Sequence, residues 1–163
     1  MQLPDKRAVL AALDTSLLGQ IDAATARARA IAESAVHEEA RSEDSHDTRA
    51  TEESYLARGQ AQRVADLEMD RATLRSLVLQ DFSDGRPIAG TALVALEDED
   101  EAVMIVLLAP SAGGQTVVLQ GVTVRVVTPS APLAQALLGK EEGDDVAVRA
   151  GRTAKEYVIA AVS

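Results

Sequence analysis

The chain has 163 residues, a net charge of −10 and no cysteine, and only 2% of its residues are aromatic. The lack of cysteine excludes disulfides, thiolate metal sites and cysteine nucleophiles, and the acidity argues against duplex nucleic acid, which selects a basic surface. No run approaches the ~18 apolar residues of a membrane span, and the N-terminus does not resemble a signal peptide, so we expect a soluble cytoplasmic protein.

Two long segments in the N-terminal half have the apolar spacing of paired helices. Apolar residues recur three and four positions apart, which is typical of a coiled-coil seam. The first helix is predicted over Asp5–Arg41, with the seam Leu10, Leu13, Leu17, Ile21, Ala24, Ala28, Ile31 and Ala35. The second is predicted over Thr48–Val78, with the seam Ala57, Gln60, Val64, Leu67, Arg71, Leu74 and Val78. The bulky residues lie away from the connection, where we expect the tighter packing.

An acidic turn is predicted between the two helices, over Ser42–Asp47. Ser and Asp favour turns and helix N-caps, and either Asp47 or Thr48 suits the N-cap of the second helix. The two helices therefore form an antiparallel hairpin with negative charge at its tip.

The second half alternates short β-rich runs with turn residues, which predicts an antiparallel sheet and one short helix. The strands are Ile88–Leu96, Ala102–Leu108, Thr116–Leu119, Val122–Val127, Val146–Arg149 and Glu156–Val162. The helix is Pro132–Leu138, with Gly139 after its last turn. The fold class is α+β. The domains are a coiled-coil hairpin over 1–80, a linker over 81–87 and a sheet domain over 88–163.

Two motifs resemble the Gre family of bacterial transcript-cleavage factors. The stretch from Pro129 to Asp144 is similar to the family segment S-P-x-x-x-A-L-x-G-K-x-x-G-D, and the chain ends on a similar strand, Glu156–Ile159. In the hairpin, Tyr55–Gln60 resembles the family's A-E-Y-x-x-A-x-x-x-Q. The resemblance covers nearly the whole chain.

This resemblance implies a fold, a partner and a metal. The sheet domain would be FKBP-like and would bind bacterial RNA polymerase at the rim of its secondary channel, through Pro132, Leu133, Gly139 and Lys140. The coiled coil would enter the channel, where two tip carboxylates would share Mg²⁺ with the polymerase and support cleavage of backtracked RNA. Mg²⁺ takes carboxylate and water oxygens, and two such ions assist an in-line displacement. The protein itself would be neither an enzyme nor the owner of a cofactor.

The tip departs from the family pattern. Aligned on Tyr55, the two family carboxylates fall at Thr48 and Thr51, which cannot ligate a metal as carboxylates do. Asp44 and Asp47 keep the three-residue spacing, displaced toward the first helix. The candidate tip carboxylates are therefore Glu43, Asp44, Asp47 and Glu52. A divergent Gre-like branch with E-x-x-Y-D-T-R at its tip has a similar local string, with His46 in place of the Tyr.

Other interpretations stay open. Asp44 and Asp47 also suit a solvated turn and helix cap, and five successive acidic residues, Glu97–Glu101, suit a solvated hairpin loop. His37 and His46 have no standard zinc-ligand spacing. The alternative functions are a channel-occupying inhibitor without cleavage stimulation, a protein-interaction module, and a prolyl isomerase. The last is disfavoured because the chain has few aromatic residues for an apolar cleft. We expect a monomer.

Overall fold

The computed structural model describes residues 2–39, 47–82, 85–150 and 153–163. The side chains of residues 35–39, 47–51, 53, 54, 150 and 153 also lie outside the described part. Its elements are α1 Lys6–Glu39, α2 Asp47–Arg75, β1 Leu93–Asp98, β2 Val103–Leu108, β3 Thr116–Leu119, β4 Val122–Val127, α3 Pro132–Leu137, β5 Asp145–Ala150 and β6 Thr153–Val162. The predicted α+β class is confirmed. No helix among the described residues is long and apolar enough to cross a membrane.

The chain divides into two compact units, one of Ser16–Arg71 and one of Met1–Thr15 with Ala72–Ser163. The domain boundaries 1–80, 81–87 and 88–163 stay a prediction.

The unit Ser16–Arg71 contains most of both long helices. Its buried apolar residues are Leu17, Ile21, Ala24 and Leu67. Farther along the seam the side chains are only half-buried, as at Ala28, Ile31, Ala57 and Val64. Arg63 Nη2 lies 3.5 Å from Gln20 Oε1, which joins the two helices across the seam. Within this unit, packing therefore weakens away from Leu17 and Leu67, as the seam pattern predicts.

The other unit holds the first turns of α1, the end of α2 and the whole sheet. Asp5 Oδ1 accepts a hydrogen bond of 2.8 Å from the amide of Ala8, so its carboxylate caps α1. Arg75 Nε lies 4.0 Å from Asp14 Oδ1, and because the arginine is exposed and the carboxylate only half-buried, this pair contributes at most about 1 kcal/mol. The prediction that Val78 belongs to the seam is wrong, because α2 ends at Arg75 and Val78 is 82% exposed.

The six strands form one sheet in the order β3-β4-β2-β1-β6-β5. The predicted sheet was wholly antiparallel, but β2 and β4 pair in parallel, with Ile105 opposite Val124. Between them the chain forms β3, which pairs antiparallel with β4 at the sheet edge. A parallel pair needs such a crossover connection, which apolar alternation alone does not reveal.

The centre of the sheet is buried on both faces. Residues 93–96 of β1 and 105–108 of β2 are all buried. On the face that carries α3, the core consists of Phe82, Ile88, Ala92, Val94, Leu96, Val106, Leu108, Val127, Ala134, Leu137, Val146 and Ile159. Burial of such side chains contributes about 25 cal/mol per Å² of apolar surface removed from water. This core fixes α3 against β5 and β6 and so positions the motif that follows α3.

The first strand is shorter than its apolar run. β1 begins at Leu93 instead of the predicted Ile88, because Thr91 has a left-handed φ of 72°. This conformation lies outside the extended region of a regular strand. Ile88 is buried nevertheless, and its backbone pairs with the turn after α3.

Candidate functional site

The segment that carries the main motif forms a short helix followed by two tight turns. Pro132 occupies the first turn of α3, where its missing amide costs nothing. The amide of Leu138 donates to the carbonyl of Ala134 at 2.9 Å, and Gly139 follows with a φ of 79°. Gly139 thus ends α3 as the sequence predicts, since a left-handed residue after the last turn favours glycine.

Both turns are fastened to the sheet unit by backbone hydrogen bonds. Gly139 donates to the carbonyl of Ile88 at 2.8 Å, and Ile88 donates to the carbonyl of Lys140 at 2.7 Å. Three residues on, Gly143 donates to Ile159 at 2.8 Å, and Ile159 donates to Asp144 at 3.0 Å. The backbone of the motif is therefore held at two places.

Asp144 also closes the loop between these two places. Its Oδ2 accepts from the amide of Glu141 at 3.0 Å, and its own amide donates to the carbonyl of Glu141 at 3.2 Å. Gly143 and Asp144 accordingly belong to a tight turn and not to a phosphate-binding loop.

The side chains of the segment divide between core and solvent. Ala134 and Leu137 are fully buried, whereas Leu138 is 41% exposed. Among the four predicted binding residues, Leu133 is half-buried and packs against the core, and Pro132, Gly139 and Lys140 are exposed. The segment thus presents a cation and an apolar side chain, Lys140 and Leu138, on a backbone that is fixed from behind.

Most of the residues considered at the tip lie outside the described residues. This is so for the candidate carboxylates Glu43 and Asp44 and for the side chain of Asp47. It is also so for His46 and for the side chains of Thr48 and His37, which were not predicted to bind metal. The helix α2 begins at Asp47, one residue before the predicted Thr48. Glu52 is exposed on α2, and Tyr55 and Leu56 beyond it are 68% and 58% exposed.

The acidic run Glu97–Glu101 covers the end of β1 and the hairpin turn between β1 and β2. Asp98 Oδ1 accepts from the amides of Asp100 and Ala102 at 3.1 and 2.9 Å, and Glu101 has a φ of 61°. Asp98 therefore organises the turn while its neighbours Glu99 to Glu101 are exposed to solvent. The predicted solvated loop begins only after Asp98, because Glu97 and Asp98 belong to β1 and are half-buried.

Next to this turn lies a cavity of about 390 Å³ with acidic walls. It is lined by Glu97, Asp98, Glu99, Asp145, Val146, Ala147, Glu156, Tyr157 and Val158. Lys155 Nζ lies 3.9 Å from Asp98 Oδ2 and offsets part of the charge. Across the described residues, no group of three or more His, Asp or Glu side chains has a geometry that could hold a metal ion.

Sequence reasoning missed a polar cluster where the chain passes from α2 to the sheet. Lys6 Nζ donates to the carbonyl of Gln80 and lies 5.0 Å from the centre of the Phe82 ring. The amide of Gln80 donates to Thr91 Oγ1 at 3.0 Å. The sequence held one signal for this cluster. It is the single Phe of the chain, which lies next to an acidic residue in a segment without helical or strand periodicity.

Comparison with known proteins gives structural likeness only. No protein-family model matches the chain, and the curated proteins yield no match. The transcription factor Gfh1 is 20% identical over 93% of each chain, with a TM-score of 0.39. The Gfh1 protein of Thermus thermophilus is 19% identical over 92% of this chain and 94% of its own, also with a TM-score of 0.39.

A third solved structure matches a smaller part of this chain. The transcription elongation factor GreA/GreB from Nitrosomonas europaea is 20% identical over 60% of this chain and 78% of its own, with a TM-score of 0.37. Identities and TM-scores this low concern the fold alone and assign neither a family nor an activity.

Proposed function

We propose that this chain is a cytoplasmic regulator that binds bacterial RNA polymerase through residues 86–163 and places its helical hairpin in the secondary channel. The proposal rests on the resemblance of the Pro129–Asp144 and Tyr55–Gln60 segments to the Gre family. The helix α2 has 29 residues, which corresponds to roughly 43 Å at about 1.5 Å per residue. That length suits a probe that reaches into a deep channel.

One observation carries the proposal more than any other. In the Gre-like segment after α3, backbone hydrogen bonds to Ile88 and to Ile159 hold the main chain on either side of Lys140 in place. A main chain that is already ordered loses little conformational entropy when Lys140 meets a partner carboxylate, so it favours binding. In a chain with a net charge of −10, a lysine at a defined position also helps to select one acidic site on a partner.

The direct test measures binding of the full chain to purified RNA polymerase by fluorescence anisotropy. Lys140→Glu should weaken binding roughly tenfold, since losing one charge-assisted contact costs about 1.5 kcal/mol. Arg149→Glu is the matched control, because Arg149 is an exposed β5 residue whose side chain alternates to the face opposite the buried Val146. Equal affinity of wild type and Lys140→Glu would remove Lys140 from the interface. If the wild type does not bind, the whole proposal is wrong.

At the tip, Asp44 and Asp47 are the residues that would hold any Mg²⁺ shared with the polymerase. Bound there, the ion would supply charge neutralisation at the reacting phosphate. Carboxylate is the donor that Mg²⁺ prefers, and this pair keeps the three-residue spacing. Because Thr48 and Thr51 replace the family carboxylates, we propose a factor that occupies the channel and gives little or no stimulation of RNA cleavage.

A further inference from the structure

The segment that joins α2 to the sheet, residues 77–82, is only partly held by apolar burial. Val78 is 82% exposed, and Gln80 and Asp81 are exposed as well. Leu77 and Leu79 are half-buried, and Phe82, which is 4% exposed, belongs to the core on the α3 face of the sheet. Around Gln80 the path of the chain therefore depends on polar contacts.

Lys6, the first residue of α1, holds this segment at two points. Its ammonium donates to the carbonyl of Gln80 and lies 5.0 Å from the centre of the Phe82 ring, within cation–π range. A single side chain thus binds both a backbone oxygen in the exposed part of the segment and the aromatic ring at its buried end.

Thr91 holds the same residue from the sheet side. Its Oγ1 accepts from the amide of Gln80 at 3.0 Å, and its own amide donates to the carbonyl of Leu108 at 2.9 Å. Gln80 is therefore bound through its N–H by Thr91 and through its C=O by Lys6. Both polar groups of one backbone residue are satisfied by side chains from distant parts of the sequence.

Each of the two holding residues is unfavourable where it stands. Lys6 puts a cation at the positive N-terminal end of α1, and burial lowers its pKa, which the carboxylate of Asp81 only partly offsets. Thr91 is a buried β-branched residue with a left-handed φ of 72°. Such conformations persist only where the surroundings impose them, and they often mark sites with a conformational role.

We propose that Lys6, Gln80 and Thr91 form a latch that fixes segment 77–82 on the sheet unit and can open without unfolding the sheet. When the latch opens, the partly buried ammonium of Lys6 regains water, so opening costs less than the two hydrogen bonds alone would indicate. Phe82 stays in the core and retains the register of the chain. The latch is thus a built-in release point between the last turn of α2 and the sheet.

The test is residue-resolved amide hydrogen exchange on the full chain. Lys6→Met removes the charge and keeps the length of the side chain, and Thr91→Val removes the hydroxyl and keeps its shape. In each variant the Gln80 amide should exchange roughly three to ten times faster, which is the range that one net hydrogen bond provides. Amides of β1 should exchange at the wild-type rate.

Two matched controls separate the latch from general effects. Arg7→Met makes the same charge change at the neighbouring, exposed position, and Thr91→Ser keeps the hydroxyl; both should leave the Gln80 amide near its wild-type rate. The Lys6→Met variant is decisive, because Lys6 does not touch the amide that is measured. Unchanged exchange at Gln80 in Lys6→Met would overturn the proposal, and so would equal acceleration in β1, which would make the contact part of global stability. If Thr91→Val does not fold, Lys6→Met and its control still decide between these outcomes.

Discussion

At the scale of single residues, a glycine and a threonine in the unit that contains the sheet both have a left-handed backbone conformation. Gly139 has a φ of 79° and Thr91 a φ of 72°. Glycine adopts this region freely, whereas a β-branched residue is strained there. Gly139 accordingly ends α3 without strain and positions Lys140, while the strain at Thr91 is retained by the contacts around it.

Gly139→Ala should destabilise the protein by about 1–2 kcal/mol, because alanine is disfavoured in the left-handed region. A Cβ at this position would meet nothing within 4 Å, so the cost is conformational and not a clash. Gly90→Ala is the control, since Gly90 has open space and no positive φ. That variant should be neutral or more stable by up to about 1 kcal/mol. Urea unfolding midpoints measure both, and equal midpoints would contradict the assigned conformation of Gly139.

Lys6 gives the stability of the protein a pH dependence of known sign. Its pKa is lowered from 10.5 in the folded state, because burial disfavours the ammonium. Between the folded and unfolded pKa values the unfolded chain binds more protons, so stability should rise with pH across that alkaline window.

Chemical unfolding at a series of pH values, for the wild type and for Lys6→Met, isolates this contribution as the difference between the two curves. The stability of the wild type should gain on that of the variant as the pH approaches 10.5. A difference that is constant or falls with pH would show that the lysine is not desolvated.

At the scale of elements, the paired helices are held by few buried residues. Leu17 is fully buried and its neighbour Leu18 is 40% exposed, so the two residues compare a seam position with a surface position in the same helix. Leu17→Ala should cost about 2–5 kcal/mol, and Leu18→Ala should stay below about 1 kcal/mol. Thermal or urea unfolding gives both values, and similar losses would mean that Leu17 is not a packing residue.

Hydrogen exchange should also follow the packing of the helices. The buried residues Leu17, Ile21 and Ala24 give way to the half-buried Ala28 and Ile31. Little apolar area is buried per turn beyond Ala24, so local opening should become easier toward residue 34. We expect opening free energies that fall steadily from Leu17 to residue 34. Uniform protection along this stretch would disprove the gradient.

The element pattern was largely predictable from the sequence, and its exceptions have physical causes. Strands β3 and β4 occur over the predicted ranges, because clear turn residues bound them. The parallel pairing of β2 with β4 was not foreseen, since side-chain alternation is the same for either strand direction. The late start of β1 follows the left-handed φ of Thr91, and the chain beyond the early end of α2 is bound through Gln80 by Lys6, 74 positions away in the sequence.

The candidate site was predictable only in part, for the same reason. The turn at Gly139 follows from local rules for helix ends. The bonds from Ile88 and Ile159 that hold this turn join residues far apart in the chain, and periodicity does not report them. The cavity with acidic walls likewise gathers Asp145 and Glu156 beside Glu97, three residues from three strands.

At the scale of the whole molecule, charge and length point to one kind of partner. The chain carries 26 acidic and 16 basic residues, which favours a partner that presents basic groups or bound cations. Long-range attraction of this kind is screened over about 8 Å at physiological salt. Binding to RNA polymerase, the proposed partner, should therefore weaken as salt is raised, and the contact of Lys140 with an acidic group should weaken with it because salt screens any attractive ion pair.

Cleavage activity is the property on which the tip sequence bears most directly. Aligned on the Gre-like motif, Thr48 and Thr51 stand where Gre factors have carboxylates, so a metal-directed role would fall first to Asp44 and Asp47. We expect little or no stimulation of RNA cleavage in a backtracked elongation complex at limiting Mg²⁺, and no further loss in Asp44→Asn plus Asp47→Asn.

The control is Asp22→Asn plus Asp66→Asn, which makes the same charge change at exposed positions along the helices. Strong cleavage that the tip variant abolishes and the control retains would refute this expectation and establish the pair as metal-directed. Strong cleavage that survives the tip change would transfer the role to Glu52 or Glu53, the next carboxylates along α2.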